Sequence, residues 1–222
     1  MRLRNIPGAK EAVETSAWCI DLQKALTLPG NWKAVFGNDH PIHVEVGMGK
    51  GRFLMDMARL HPEINYLGIE RYDSVLLRAL EKREKLLSEG QEMQNLLFLC
   101  LDARLLPELF APGEVERIYL NFSDPWPKAR HRSRRLPSRE FLERYEKILS
   151  RQGRVEFKTD NQDLFSFALF EAKESGWPLL YETRDLHAEK EMPYENVCTE
   201  YEEKFVSLHK PICKMVLSPP LR

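Results

Sequence analysis

Val44-Glu45-Val46-Gly47-Met48-Gly49-Lys50-Gly51 closes an apolar run at 42–46 (IHVEV) and opens a helical pattern over 51–60. A buried strand that passes into a helix through glycines reads as the first βα unit of an open α/β sheet. The rest of the chain repeats that alternation. Apolar strand candidates recur at 65–70 (NYLGIE), 96–101 (LLFLCL), 116–121 (ERIYLN) and 153–158 (GRVEFK), with helical patterns at 72–88, 103–110 and 138–149. In the last of these Phe141, Leu142, Tyr145, Ile148 and Leu149 share one face behind Ser138, a candidate N-cap. Such a pattern predicts a parallel sheet with helices on both faces. An amphipathic helix over 11–27 precedes it. After a helix near 161–174, strand candidates at 179–184 and 203–209 predict an antiparallel pair that closes the sheet.

Two hundred and twenty-two residues suit a single domain, with 1–30 as an N-terminal arm and helix and 40–222 as the core. Hydrophobic residues at 43% and charged residues at 30% exclude a disordered or collagen-like chain. There is no apolar run of about 18 residues, so no membrane span is expected, and the basic N-terminus lacks the apolar stretch of a signal peptide. Cys19, Cys100, Cys198 and Cys213 form no C-x-x-C pair, and the six histidines have no metal-ligand spacing. A reducing cytoplasm and no metal are the expectation. The net charge of −1 argues against a nucleic-acid partner only on average, because the charges are unevenly spread.

In an open α/β sheet, ligands bind beyond the carboxyl ends of the strands. Those ends carry Glu45–Gly51, Glu70, Asp102, Asn121–Lys128 and Thr159–Asp160, and carboxylates dominate. Gly47, Gly49 and Gly51 let a ligand approach the backbone. Glu70, 23 positions after Gly47, suits two ribose hydroxyls. The loop is G-x-G-x-G, and Arg52 stands where a dinucleotide loop wants its third glycine, which makes a nicotinamide enzyme a poor fit. An acidic Glu45 repels a diphosphate and attracts a cation bearing an amino group, such as S-adenosylmethionine. Asp102-Ala103 then suits adenine, with the carboxylate accepting from N6; Asp102 is equally a candidate cap for helix 103–110. For Lys50 a solvated side chain is the simpler reading.

Beyond the fourth strand stands Asn121-Phe122-Ser123-Asp124-Pro125-Trp126-Pro127-Lys128. Two prolines around a tryptophan predict a rigid, extended segment. The continuation KARHRSRRL sets Lys128, Arg130, Arg132, Arg134 and Arg135 beside it without an acid, a phosphate footprint. With these pieces in hand the sequence closely resembles the bacterial tRNA (guanine-N7-)-methyltransferase family. The most specific matches are EVGMGKGRFL (45–54), LGIE (67–70), NFSDPWPKARHRSRRL (121–136), FKTDN (157–161) and TEYEEKF (199–205), in that order. Family members often have Pro where Ser123 stands and Lys where Ala129 stands. Neither departure removes a carboxylate.

The resemblance implies the Rossmann-like class I methyltransferase fold: seven strands, mostly parallel, with an antiparallel C-terminal strand and helices on both faces. It implies methyl transfer from S-adenosylmethionine to N7 of variable-loop guanine 46 of tRNA, with Glu45, Glu70, Asp102 and Asp124 lining the cofactor site. Lys128, Asp160 and Thr199, Glu200, Tyr201 and Glu202 are implied to contact the target nucleotide or its neighbours. Asp160 and Glu202 are suitable acceptors for guanine N1–H and N2–H₂, with Thr199 and Tyr201 placing the loop or stacking, and Thr159 or Asp160 can alternatively cap helix 161–174. Arg2, Arg4 and Lys10 of an unstructured arm are further candidates for phosphate. Asp124 is expected to stabilise charge during transfer. A monomer and a homodimer are equally compatible, and no obligate protein partner is expected. A methyl acceptor of another kind, or a non-catalytic RNA-binding domain, would leave either the cationic run or the retained Glu45, Glu70 and Asp102 unexplained.

Overall fold

The computed structural model describes residues 5–191 and 193–220, so Arg2 and Arg4 lie outside the described residues. The chain forms two compact units, 1–111 and 112–222. Its strands are ordered β3-β2-β1-β4-β5-β7-β6 in one seven-stranded sheet.

The first unit carries β1 (Ile42–Val46), β2 (Asn65–Glu70) and β3 (Leu96–Cys100), at the sequence-expected places. They pair in parallel, Val44 beside Leu67 and Leu67 beside Leu97. Every residue of β1 and β2 is buried, including the polar His43, Glu45, Asn65 and Glu70, as expected for central strands covered on both faces. Helices α4 (Arg52–Leu60) and α5 (Asp73–Ser88) follow β1 and β2.

The expected helix over 11–27 is broken. It appears as α1 (Ala9–Thr15) and a single turn, α2 (Leu22–Ala25), capped by Asp21; a further turn, α3 (Lys33–Phe36), follows. Between α1 and α2, Cys19 bridges β3 at Phe98 in parallel, and Phe98 N–H donates to Trp18 O at 2.8 Å. The sheet edge outcompetes helix propensity there. Arg83 of α5 is fully buried beneath this segment, its guanidinium 3.7 Å from the Trp18 ring centroid and bonded to the carbonyls of Met93 and Leu96. Lys10, expected on an unstructured arm, sits in α1 beside Glu14 at 3.6 Å. The expected helix 103–110 is a 3₁₀ turn, Ala103–Leu105, followed by a short α6 (Leu106–Leu109) entered through Pro107.

In the second unit β4 (Val115–Asn121) and β5 (Leu149–Thr159) are parallel, with Leu120 beside Phe157. β7 (Cys213–Leu217) runs antiparallel to β5 on one side and to β6 (Leu179–Thr183) on the other. The expected strand at 203–209 is instead α9 (Glu200–Ser207). Thr199 and Glu202 form a capping box at its start, and that local hydrogen bonding fixes a helix where the apolar residues alone were ambiguous. The strand signal belongs to the fully buried Cys213–Leu217.

Helices α7 (Arg139–Ile148) and α8 (Gln162–Glu174) complete the unit. Two caps differ from expectation. Ser138 occupies the N-cap of α7, but its side chain makes no capping bond; the Arg139 N–H donates instead to Glu171 Oε2, at 3.0 Å. Asn161, not Thr159 or Asp160, caps α8 by accepting from Leu164 N–H at 2.8 Å.

Candidate active site

In the first unit the chain leaves β1 through glycines with φ of 76° at Gly47, 57° at Gly49 and 71° at Gly51, a region that a Cβ penalises. The N–H groups of Gly47 and Met48 donate to the Ile69 carbonyl at 2.8 and 3.1 Å, which ties the loop to the end of β2. Glu70 Oε2 accepts from Gly49 N–H at 3.2 Å, and Oε1 accepts from the N–H groups of Arg71 and Tyr72 at 2.8 and 3.1 Å. The carboxylate expected at a ribose is therefore fixed against the glycine loop. A Cβ built at Gly49 would meet nothing within 4 Å, so the loop faces open space where a ligand needs to approach. Glu45 is buried within β1, and Ala103 is buried at the end of β3.

Asp102 does cap the 3₁₀ turn. Its Oδ1 accepts from Arg104 N–H and Nε, both at 3.0 Å, and its Oδ2 from Arg104 Nη2 at 2.8 Å. The Arg104 hydrogen bonds, working against partial burial, bring the Asp102 pKa down to about 2. An adenine amine at Asp102 has to share it with the exposed Arg104 or displace that side chain. Buried and half-buried carboxylates around a Cβ-free opening fit a cationic nucleoside: acceptors for ribose hydroxyls and an amine, and no cradle for a diphosphate.

In the second unit Asp124 follows β4 and is exposed, and its carboxylate has no hydrogen bond among the described residues. The segment around it is not extended throughout. Phe122 and Trp126 have φ of 51° and 42°, left-handed values unusual for bulky residues, and Trp126 holds its value even before Pro127. Arg135 explains this by donating Nε and Nη2 to the Trp126 carbonyl at 3.3 and 3.1 Å. Around the ring, Arg134 lies 5.1 Å from the centroid and His131 packs edge-on at 5.5 Å.

The basic run forms a 3₁₀ turn, Ala129–Arg134, and its cations are not equivalent. Arg132 pairs with Glu171, which is 0% exposed and also holds Arg139 at 3.3 Å. Arg132 and Arg135 both lie over Phe167, at 5.5 and 4.4 Å. These two arginines brace the turn, and Arg132 is still exposed while doing so. Lys128, Arg130 and Arg134 remain exposed. Partial desolvation, then the charges of Arg134, Arg130 and Lys128, lower the pKa of His131, a local sign of positive potential.

Asp160, freed of the capping task by Asn161, is half-buried at the end of β5 with no hydrogen bond among the described residues. Glu202 is elsewhere. It is 0% exposed, and its Oε2 accepts from Lys158 Nζ at 2.7 Å and from Thr199 N–H at 3.4 Å. Its Oε1 meets His187 Nε2 at 3.0 Å and accepts from Asn196 Nδ2 at 2.8 Å. Burial raises the carboxyl, but Lys158, Asn196 and His187 outweigh it and hold its pKa below the usual range. These internal bonds tie the start of α9 to β5 through Lys158. His187, Cys198 and Glu202 bring ligand-type atoms within 4.8 Å of one another. The countercharge that a metal cation would bring is already supplied by the Lys158 ammonium. Of the expected nucleotide-contacting segment, Thr199 is buried, Glu200 is half-buried and Tyr201 is exposed.

The sequence reading missed Lys158, His187, Asn196 and Glu171. One signal was available: Glu171 shares the α8 stripe of Leu164 and Ala168, where a charge must find a partner.

A parallel sheet ending in antiparallel strands, with carboxylates beyond the strand ends and a glycine loop after β1, defines a class I, S-adenosylmethionine-dependent methyltransferase. The family described as "Putative methyltransferase" matches residues 39–215. The tRNA (guanine-N(7)-)-methyltransferase of Lachnoclostridium phytofermentans is 52% identical over 216 residues, covering 97% of both chains, and that of Bacillus subtilis is 45% identical, covering 96% of both. The chain belongs to this methyltransferase family. Among solved structures, a 16S rRNA methyltransferase titled KamB superposes with a TM-score of 0.63 at 12% identity, over 86% of this chain and 94% of its own. An antibiotic-related methyltransferase does so at 0.61 and 17%, over 86% and 94%. These two show the fold. No helix among the described residues is long and apolar enough to cross a membrane.

Proposed function

We propose that the chain transfers the methyl group of S-adenosylmethionine to N7 of a guanine in tRNA, at variable-loop position 46. The observation that supports an RNA substrate is the braced basic turn: Glu171 and Trp126 hold it so that Lys128, Arg130 and Arg134 stand exposed just after Asp124. Bound S-adenosylmethionine supplies an electrophilic methyl group on a sulfonium. Glu70, already fixed by three backbone N–H groups, receives the ribose hydroxyls, and Asp102 with Ala103 receives adenine. Guanine N7 bears a lone pair and no proton, so the protein's task is alignment and charge stabilisation, not deprotonation. Asp124 faces the positive charge that grows on the base, and Asp160 with Glu200 accepts from its N1–H and N2–H₂ edge. Incubation with labelled S-adenosylmethionine and unmodified tRNA, followed by mapping of the methylated base, tests the proposal. Label in any base but guanine, or none, defeats it.

Glu70→Ala is expected to weaken S-adenosylmethionine binding by about 1.5–3 kcal/mol, the range for hydrogen bonds to a charged group. Unaltered affinity by calorimetry removes Glu70 from the site. For RNA, the combined Lys128→Ala, Arg130→Ala and Arg134→Ala variant should flatten the log–log salt dependence of tRNA binding by roughly 0.7–0.9 per lost phosphate contact. A wild-type slope in that variant makes the run a solvated face.

A further inference from the structure

Within the first unit, α5 buries Leu76, Ala79, Leu80 and Arg83. A Cβ built at Gly51 would come within 3.3 Å of the Ala79 methyl, so α5 packs directly on the last glycine of the loop after β1. That contact brings Lys50, the residue before Gly51, beside the outward stripe of α5 that carries Arg78, Lys82 and Lys85. Together these side chains line an open groove of about 540 Å³, with Lys50 and Lys85 exposed and Arg78 and Lys82 half-buried.

The groove is net positive. Its four cations face two carboxylates, and each carboxylate lies beside its own helical neighbour, Glu81 at 2.7 Å from Arg78 and Glu89 at 3.9 Å from Lys85. Lys50 and Lys82 supply the excess. Arg78, Lys82 and Lys85 follow one another along one stripe of α5, over about 10 Å of helix axis. A row of that length outruns a single phosphate group and suits successive phosphates of a strand. A merely solvated helical face needs no lysine from a second element; here the glycine loop contributes one.

We propose that this groove binds backbone phosphates of the substrate RNA, as a contact surface separate from the basic turn after Asp124. The proposal rests on the reading of the substrate as tRNA and adds where the first unit holds it. Lys50 then has a task beyond solvation. Its loop is tied to Glu70 through the Gly49 N–H, so the ammonium is presented from a fixed backbone next to the cofactor opening. Contacts of this kind carry no base information; they add affinity and set the register of the RNA on the protein.

The test uses the full-length protein, with binding of unmodified tRNA measured across a salt series. Lys50→Gln and Lys82→Gln should each flatten the log–log salt dependence by roughly 0.7–0.9, and the double variant by about the two effects together. Glutamine keeps the helix propensity of position 82. Lys33→Gln, which removes an exposed cation of the same unit that does not line the groove, should keep the wild-type slope. A wild-type slope in the double variant overturns the proposal, and so does an equal flattening in Lys33→Gln, which would assign the effect to net charge. Inorganic phosphate is titrated alone as a second probe. Saturable phosphate binding that the double variant abolishes, with its tRNA slope unchanged, makes the groove a small-anion site and overturns the RNA contact. The binding arm needs no methyl transfer. If the wild type methylates tRNA guanine but the double variant keeps its slope, the groove fails and the function stands. If the wild type methylates no tRNA guanine while the double variant still flattens the slope, the function fails and the groove stands.

Discussion

Asp124→Asn should lower kcat by about 10²–10³ while changing KM for tRNA far less, the loss typical of removing one preorganised electrostatic stabiliser. The substitution keeps size and hydrogen-bonding shape and removes only the charge. No side chain among the described residues hydrogen-bonds Asp124, so no internal network collapses with it. The left-handed Phe122 and Trp126 bracket it, and Arg135 pins the second of these, which restricts how far residue 124 can drift. Because N7 has no proton to lose, the single-turnover rate of the wild type should be flat through neutrality. A rate that climbs tenfold per pH unit through a pKa near 6–7, and loses that climb in Asp124→Asn, would replace charge stabilisation with proton abstraction.

Lys158→Met should destabilise the fold by about 3–5 kcal/mol, because it strands the Glu202 carboxylate without its cation in a site closed to water. The sign of the pH dependence follows. In the variant the folded-state pKa of Glu202 rises above its unfolded value, so the destabilisation is present at neutral pH and fades as the pH falls toward the unfolded carboxyl pKa of about 4.3. Adding Glu202→Gln should restore much of the stability by removing the stranded charge. Denaturant melts of the two variants at neutral and acid pH decide the matter. A Lys158→Met protein as stable as wild type at neutral pH would mean that the pair is not the anchor described above.

The parallel strands and the two long helices between them were legible because each is apolar at its own period and bounded by turn residues. β1 and β2 fall on the expected residues, 42–46 and 65–70. The errors fall where a partner distant in sequence decides the local state. Residues 16–21 leave the helical path because β3 offers them a hydrogen-bonding edge, and nothing within 11–27 reveals that edge. Residues 203–209 carry apolar Phe205, Val206 and Leu208, which suit either state, and the capping box resolves them. For the site, carboxylates at strand ends were readable from position alone. The partners of the arginines were not, since only packing shows that Arg132 pairs with Glu171 while Arg134 lies over Trp126. The burial of Glu202 and its pairing with Lys158 were equally hidden, since 44 residues separate the two in sequence.

The order of strands has a consequence for biosynthesis. β7 lies between β5 and β6 but follows both in the chain. As the ribosome delivers the second unit, β6 emerges with no strand to pair with, and β5 exposes the flank that β7 will cover, until residues 213–217 arrive. Chains elongate at about 5–20 residues per second, so the roughly thirty residues after β6 leave both flanks open for seconds. Unpaired strand flanks recruit other chains. The nascent protein is therefore at its most aggregation-prone just before its last strand is made, and a stall between residues 184 and 212 should yield chains that chaperones retain, whatever the stability of the finished fold.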